Sequence, residues 1–284
     1  VFKKMKIALH VCSYNGSNYR KRFIFLKKIV KNYFNINKKI KIFIHTNKIT
    51  KKFKIKKVNY VKHNLHNTNP FYLSWKCRKL IEEQKNYFDC FIYSEDDILF
   101  TKKNFDYWLK FKDISIKNNF NLGFFRIEKK NKKVFSTDLT ESLKYKISIN
   151  DNQFVVNNVN NYCAFWIYDK NEFKKFIKTK YWKFNWKGKS MHAFYGIREM
   201  SAIGWHGKNM KRYKETIIPL YKKKLPIGSF VSHLTNNHAM SNHPVGFGSI
   251  KKDKMLDKNL KDFFTMKKDF YIFRYLKYIF RKLY

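Results

Sequence analysis

Between residues 7 and 95 the chain switches back and forth between two hydrophobic periods, and this alternation limits the possible folds more than any other feature of the sequence. "KIALHVCSY" is a short β-type run that ends in the loop composition "YNGSNY". "YRKRFIFLKKIVKNYF" then places Phe23, Leu26, Ile29, Val30 and Phe34 close to helical spacing. "KIKIFIHTN" alternates as a second strand, and "KKFKIKKVNYVKHN" is a basic, strand-like segment. In "NTNPFYLSWKCRKLIEEQKN", Asn69 is placed to cap a helix that has Pro70 at its first position. "YFDCFIYSEDDILF" closes the series as a strongly apolar strand. The order β-α-β-β-α-β predicts an α/β domain with a largely parallel central sheet flanked by helices.

The chain has enough apolar material to bury such a sheet. Of its 284 residues 44% are hydrophobic and 19% aromatic, which excludes disorder as the default state. No apolar run approaches the ~18–20 residues of a membrane span. The run from Ile7 to Cys12 is too short for the core of a signal peptide and reads as a first strand. The expected location is therefore cytoplasmic, or peripheral on the cytoplasmic face of a membrane. Cys12, Cys77, Cys90 and Cys163 form no CxxC pair, so they read as buried free thiols rather than a disulfide framework or zinc ribbon.

Later segments are less regular. "FNLGFFRIEK" and "YCAFWIYDK" read as strands and "KNEFKKFIKT" as a short helix. "HAFYGIREMSAIGW" reads as a helix ending near Gly204, and "IGSFVSHLTNNHAMSNHPVGFG" as a strand followed by a loop rich in His, Asn and Gly. One domain over residues 1–250 is the simplest division. Residues 251–284 change character. In "MKKDFYIFRYLKYIFRKLY" Arg274, Lys277 and Arg281 recur at helical spacing among large apolar residues. This predicts a basic amphipathic C-terminal helix, suited either to an anionic membrane surface or to the protein's own core.

The formal net charge is +42, from 62 Lys and Arg against 20 Asp and Glu. Nucleic acid, an anionic lipid surface and a phosphate-bearing small substrate all suit such a surplus. Against that background three adjacent carboxylates, Glu95, Asp96 and Asp97, stand at the end of the most apolar strand. Neighbouring carboxylates repel, and an apolar setting makes the repulsion worse, so something positive is expected beside them, either Lys and Arg neighbours or a divalent cation. Glu95 and Asp97 share one side of an extended chain, while Asp96 points away unless the chain turns. Hard oxygen ligands favour Mg²⁺ or Mn²⁺ over zinc, and the carboxyl end of a strand is where α/β sheets place their ligands.

An apolar strand ending in "SEDD" resembles the DxD-type motif of GT-A glycosyltransferases, with Glu95 standing where the first Asp is usual. The resemblance covers most of residues 5 to 245 as an order of elements. It implies a single GT-A-like, Rossmann-like domain in which Asp97, Glu95 and His233 hold a Mn²⁺ or Mg²⁺ ion on the diphosphate of a nucleotide sugar. His238 is the rival to His233. The same likeness places Tyr14, Asn15, Arg22, Trp75, Arg78, Glu95 and Asp96 around the donor, with Arg20 an alternative to Arg22. Glu199 becomes the catalytic base or acceptor-binding group, and Asn236 and Asn237 are placed to bond sugar hydroxyls. His192, His206 and His243 carry no assignment.

The expected activity is thus a metal-dependent, hexosyltransferase-type glycosyltransferase. It would move a sugar from a nucleotide-sugar donor to a glycan or lipid-linked acceptor, with no specific nucleic-acid partner. The alternative is a basic nucleic-acid-binding protein or a metal-dependent nuclease, which the charge and the interleaved aromatics favour. No recognisable nucleic-acid motif and no second acidic set support it.

Overall fold

The computed structural model describes residues 5–37, 39–65, 69–183, 213–239 and 246–264. Strand β1 (Ile7–Cys12) leads into α1 (Tyr19–Ile36), β2 (Ile40–Thr46), β3 (Asn59–Lys62), α2 (Leu73–Glu83) and β4 (Cys90–Glu95), in the order that the periodicity predicts. The first sheet runs β11-β4-β1-β2-β3, where β11 is Phe165–Asp169. It is parallel from β4 to β3, and only β11 is antiparallel. From β1 the connection through α1 moves toward β2, whereas the connection through α2 crosses back to β4. Right-handed crossovers in opposite directions put the two helices on opposite faces of the sheet. Helix α1 buries Phe23, Leu26, Ile29, Val30 and Tyr33, the predicted stripe with Tyr33 in place of Phe34. Asn69 accepts a hydrogen bond from the Phe71 backbone at 3.0 Å and opens a 3₁₀ turn, Pro70–Tyr72, that feeds α2.

Beyond β4 the chain builds more sheet than the sequence reading anticipates. After a two-residue turn come β5 (Ile98–Leu99), α3 (Lys102–Lys117), β6 (Asn121–Leu122), β7 (Phe125–Lys130), β8 (Lys133–Ser136), β9 (Leu143–Ile149) and β10 (Asn152–Val156). After β11 come α4 (Lys170–Phe176), α5 (Lys180–Lys183), β12 (Thr216–Leu220), β13 (Phe230–His233) and β14 (Leu256–Asp262). They form two mixed sheets, β5-β13-β7-β8 and β14-β9-β10-β12-β6. These share a second apolar core, with Phe125, Ile127 and Phe230 from one sheet and Leu143, Val155, Ile218 and Leu220 from the other.

The α/β class holds, but the largely parallel sheet accounts for only one of the three sheets among the described residues. The expected boundary at residue 250 also falls inside the folded chain. Met255 is fully buried, and β14 pairs with β9, where a helical tail was expected to begin. The remainder of that tail, 265–284, lies outside the described residues. Among the described residues no helix is long and apolar enough to cross a membrane.

A row of three imidazoles crosses the face of the first sheet that α2 covers. His10 of β1 lies 2.9 Å (Nδ1 to Nε2) from His45 of β2, and His45 lies 2.8 Å (Nδ1 to Nε2) from His63, just past β3. His10 and His45 are fully buried. Burial drives the His10 pKa down to about 3 and holds His45 well below its ordinary value.

Candidate functional site

The acidic residues sit where β4 gives way to β5. Glu95 is the last residue of β4, and the chain turns at Asp96 and Asp97. All three are buried, Asp96 completely. The turn frees Asp96 from strand alternation and swings it toward β1 and α1. There Ser13 Oγ donates to Asp96 Oδ2 at 2.7 Å, and Arg22 Nε donates to the same oxygen at 3.2 Å. Arg22 Nη2 also pairs with Asp96 Oδ1 and reaches Asp97 Oδ2 at 3.2 Å. Arg22 is therefore bound to the carboxylates themselves. Burial raises the Asp96 pKa to about 6 against the pull of Arg22.

Asp97 meets a histidine 136 residues away in sequence. The short pairing of β5 with β13 sets His233 beside Ile98, and the Leu234 N–H donates to the Asp97 carbonyl at 2.8 Å. His233 Nε2 then lies 3.2 Å from Asp97 Oδ2. Burial pushes Asp97 upward. The hydrogen bond and charge of His233, with Arg22 and Arg126, outweigh it and hold Asp97 below the usual carboxylate range. Its other oxygen, Oδ1, is buried with no hydrogen-bond partner among the described residues.

Behind His233 stands Glu128 of β7. Glu128 Oε1 lies 2.5 Å from His233 Nδ1, and Oε2 accepts from the backbone N–H of His238 at 2.9 Å and from that of Ala239. Burial works against the charge of both partners. Hydrogen bonds with Asp97 and then Glu128 prevail at His233 and raise its pKa, and the bond to His233 lowers that of Glu128. The His238 ring stacks on His233, with centroids 5.6 Å apart. Glu128, His233 and His238 form a group with metal-ligand spacing. Within it both Glu128 oxygens already accept hydrogen bonds. Its geometry is that of a carboxylate that orients a ligating imidazole and leaves Nε2 turned toward Asp97.

Glu95 is held differently. Its backbone N–H donates to the Ala164 carbonyl at 3.0 Å, from a residue with φ of 55°, and its Oε1 accepts from Tyr162 Oη at 3.2 Å. The Tyr162 ring lies under Arg126, 4.7 Å from the guanidinium carbon. Arg126 makes a two-point ion pair with Asp138, at 3.0 and 2.7 Å, and both are buried. This cation lies close enough to bear on Asp97 and His233.

The other predicted residues are placed less centrally. The side chain of Asn15 donates to the Lys48 carbonyl at 3.3 Å, and its backbone N–H donates to Asn47 Oδ1 at 2.7 Å, so it closes the loop after β1. Tyr14, in the same loop, is 38% exposed. Trp75 is buried, with the Arg78 guanidinium stacked over it at 4.3 Å. Arg78 also donates to the Trp182 carbonyl at 2.6 Å, which ties α2 to α5. Asn236 Oδ1 accepts from the Lys129 backbone at 3.0 Å, and Asn237 Oδ1 from Thr235 Oγ1 at 3.0 Å. Glu199, Arg198, His192, His206 and His243 lie outside the described residues.

Sequence reasoning missed Ser13, Arg126, Glu128, Asp138 and Tyr162. One signal was available: in "FFRIEK" Arg126 and Glu128 stand two apart in an apolar strand, hence on one face. Scanned against models of known families and against curated proteins, the chain matches none, so the site stands on its own geometry.

Proposed function

We propose that this protein is a metal-dependent glycosyltransferase using a nucleotide-sugar donor. The observation that carries the reading is the Asp97–His233 pair at the carboxyl end of β4. Asp97 presents a buried oxygen without a hydrogen-bond partner, and His233 presents a nitrogen oriented from behind by Glu128. Such a donor set fits a divalent cation, and the imidazole favours Mn²⁺ over Mg²⁺. Asp97 and His233 would hold the ion, with Glu95 the third carboxylate within the same field of Arg22 and Arg126. When bound, the ion supplies neutralisation of the diphosphate that leaves with its charge.

The chain's own residues do the rest. Ser13 and Arg22 fix Asp96, which keeps the turn closed and Asp97 in place. Arg126 adds positive potential from below, and half-buried Arg22 with buried Arg126 limits the repulsion among the carboxylates. An acceptor hydroxyl would attack the anomeric carbon, and Glu199 is the proposed group to take its proton or to position it.

The test is thermal stability of the purified protein titrated with nucleoside diphosphates and nucleotide sugars, with and without Mn²⁺. A metal-dependent rise in Tm is expected for the wild type and should vanish in Asp97→Asn. Absence of any nucleotide-sugar effect, together with tight salt-dependent binding of DNA or RNA, would overturn the reading in favour of the nucleic-acid alternative.

A further inference from the structure

The two mixed sheets leave a groove of about 1250 Å³ beside their shared core, larger than the ~300–1,000 Å³ of ordinary small-molecule pockets. Phe230 lines it from one end of β13, while His233 stands at the other end of that strand. Three residues along a strand cover ~10 Å, and the odd spacing turns the two side chains to opposite faces. The groove is thus a separate feature, on the far side of its sheet from the acidic turn.

Its chemistry is divided. The floor is aliphatic, with Val134, Leu220, Leu225, Leu256 and Leu260. The rim carries seven lysines against Asp253 and Asp257, and among the described residues none of the seven lysines forms an ion pair with a side chain. Among the described residues no arginine lines it, and a rim of lysines alone does not offer two-point recognition of a single phosphate. Ammonium groups on flexible stems suit a headgroup met from several sides. Phe230 is its one aromatic residue among those described, and Lys252 Nζ lies over that ring at 4.4 Å. No bare ring remains in the described lining for a base or sugar to stack on, which disfavours single-stranded nucleic acid and glycans. An aliphatic trough below a cationic rim complements an amphiphile with an anionic head. Ile227, 70% exposed at the edge, is placed to enter the apolar side of a lipid layer.

We infer that this groove seats an anionic phospholipid, its phosphate among the rim lysines and an acyl chain along the leucine floor, and so lays the protein on a membrane surface. The inference stands apart from the transferase reading, since no residue of the acidic turn takes part.

The test uses the full chain and dihexanoyl phosphatidylglycerol below its micelle concentration, followed by methyl NMR. Shifts are expected at Leu225, Ile227, Leu256 and Leu260 with the lipid and not with glycerol phosphate. Equal shifts with glycerol phosphate, or lipid shifts confined to other methyls, would overturn the inference. In sedimentation with vesicles of phosphatidylcholine and phosphatidylglycerol, Lys224→Glu/Lys258→Glu should lower partition at least about tenfold. Both side chains are exposed, so the double variant should keep the wild-type Tm. A folded double variant that partitions like the wild type would also overturn it.

Discussion

His233 Nδ1 and Glu128 Oε1 lie 2.5 Å apart, and this contact joins β13 to β7 at the point where β13 meets the acidic turn. It fixes which nitrogen of His233 faces Asp97. It also raises the His233 pKa, since a carboxylate behind the ring favours the imidazolium.

Glu128→Gln keeps the shape and removes the charge. The His233 titration should move to lower pH, read by imidazole NMR. Stability should fall by about 1–3 kcal/mol in urea unfolding, because the backbone N–H groups of His238 and Ala239 lose an anionic acceptor. An unchanged His233 titration would show that Glu128 does not set its charge.

Arg126 and Asp138 offer a cleaner energetic test, since both are buried and paired at two points. Arg126→Met should cost about 3–5 kcal/mol by stranding the Asp138 charge in the interior. Arg126→Met/Asp138→Asn should recover a large part of that loss. If the two single losses simply add, the pair is not coupled.

The buried imidazoles predict acid sensitivity. His10 titrates near 3 in the folded protein because burial disfavours its charge, and at about 6.5 when unfolded. The unfolded chain therefore binds more protons below pH 6.5. Stability from this residue is complete above 6.5 and is lost as pH falls, by up to about 1.4 kcal/mol per pH unit. His10→Phe can keep the stack on Phe43, whose ring centroid is 5.0 Å away, and should flatten the fall in unfolding free energy between pH 7.5 and 5. A slope identical to that of the wild type would assign the acid response elsewhere.

Gly248 props the His238 loop. It has φ of 75°, and an added Cβ would come within 1.9 Å of the His238 carbonyl oxygen. Gly248→Ala should lower stability by more than ~1 kcal/mol and displace His238, visible as a lower Tm and a shifted His238 resonance. Wild-type values for both would mean that the loop yields without cost.

How far the site could be read in the sequence depended on how local its chemistry is. Hydrophobic period alone found β1 through β4, since each element buries its own stripe or face. Asp97 stood out because three carboxylates in an apolar run need a cation nearby. Glu128 and Tyr162 did not stand out, because register between strands far apart in sequence brings them to the acidic turn. Helix α3 was also missed. Its apolar positions are diluted by lysines, and its start is set by a box between Thr101 and Asn104 that lacks the usual acidic residue. The strand β14 looked like the start of a helical tail because its exposed lysines and partly exposed leucines, on a strand paired along one edge, give no clear period of two.

The imidazole row has one more consequence. A neutral ring carries a single N–H, yet each of the two nitrogen–nitrogen contacts requires one donor. His45 must give at one side and receive at the other, so the three tautomers cannot be chosen independently. Either every proton leans toward His63 or every proton leans toward His10. In the second arrangement His10 Nε2, a buried nitrogen with no hydrogen-bond partner among the described residues, bears the hydrogen. A proton placed on the outermost ring is thereby registered at the buried Nε2 of His10, with no atom heavier than hydrogen needing to move.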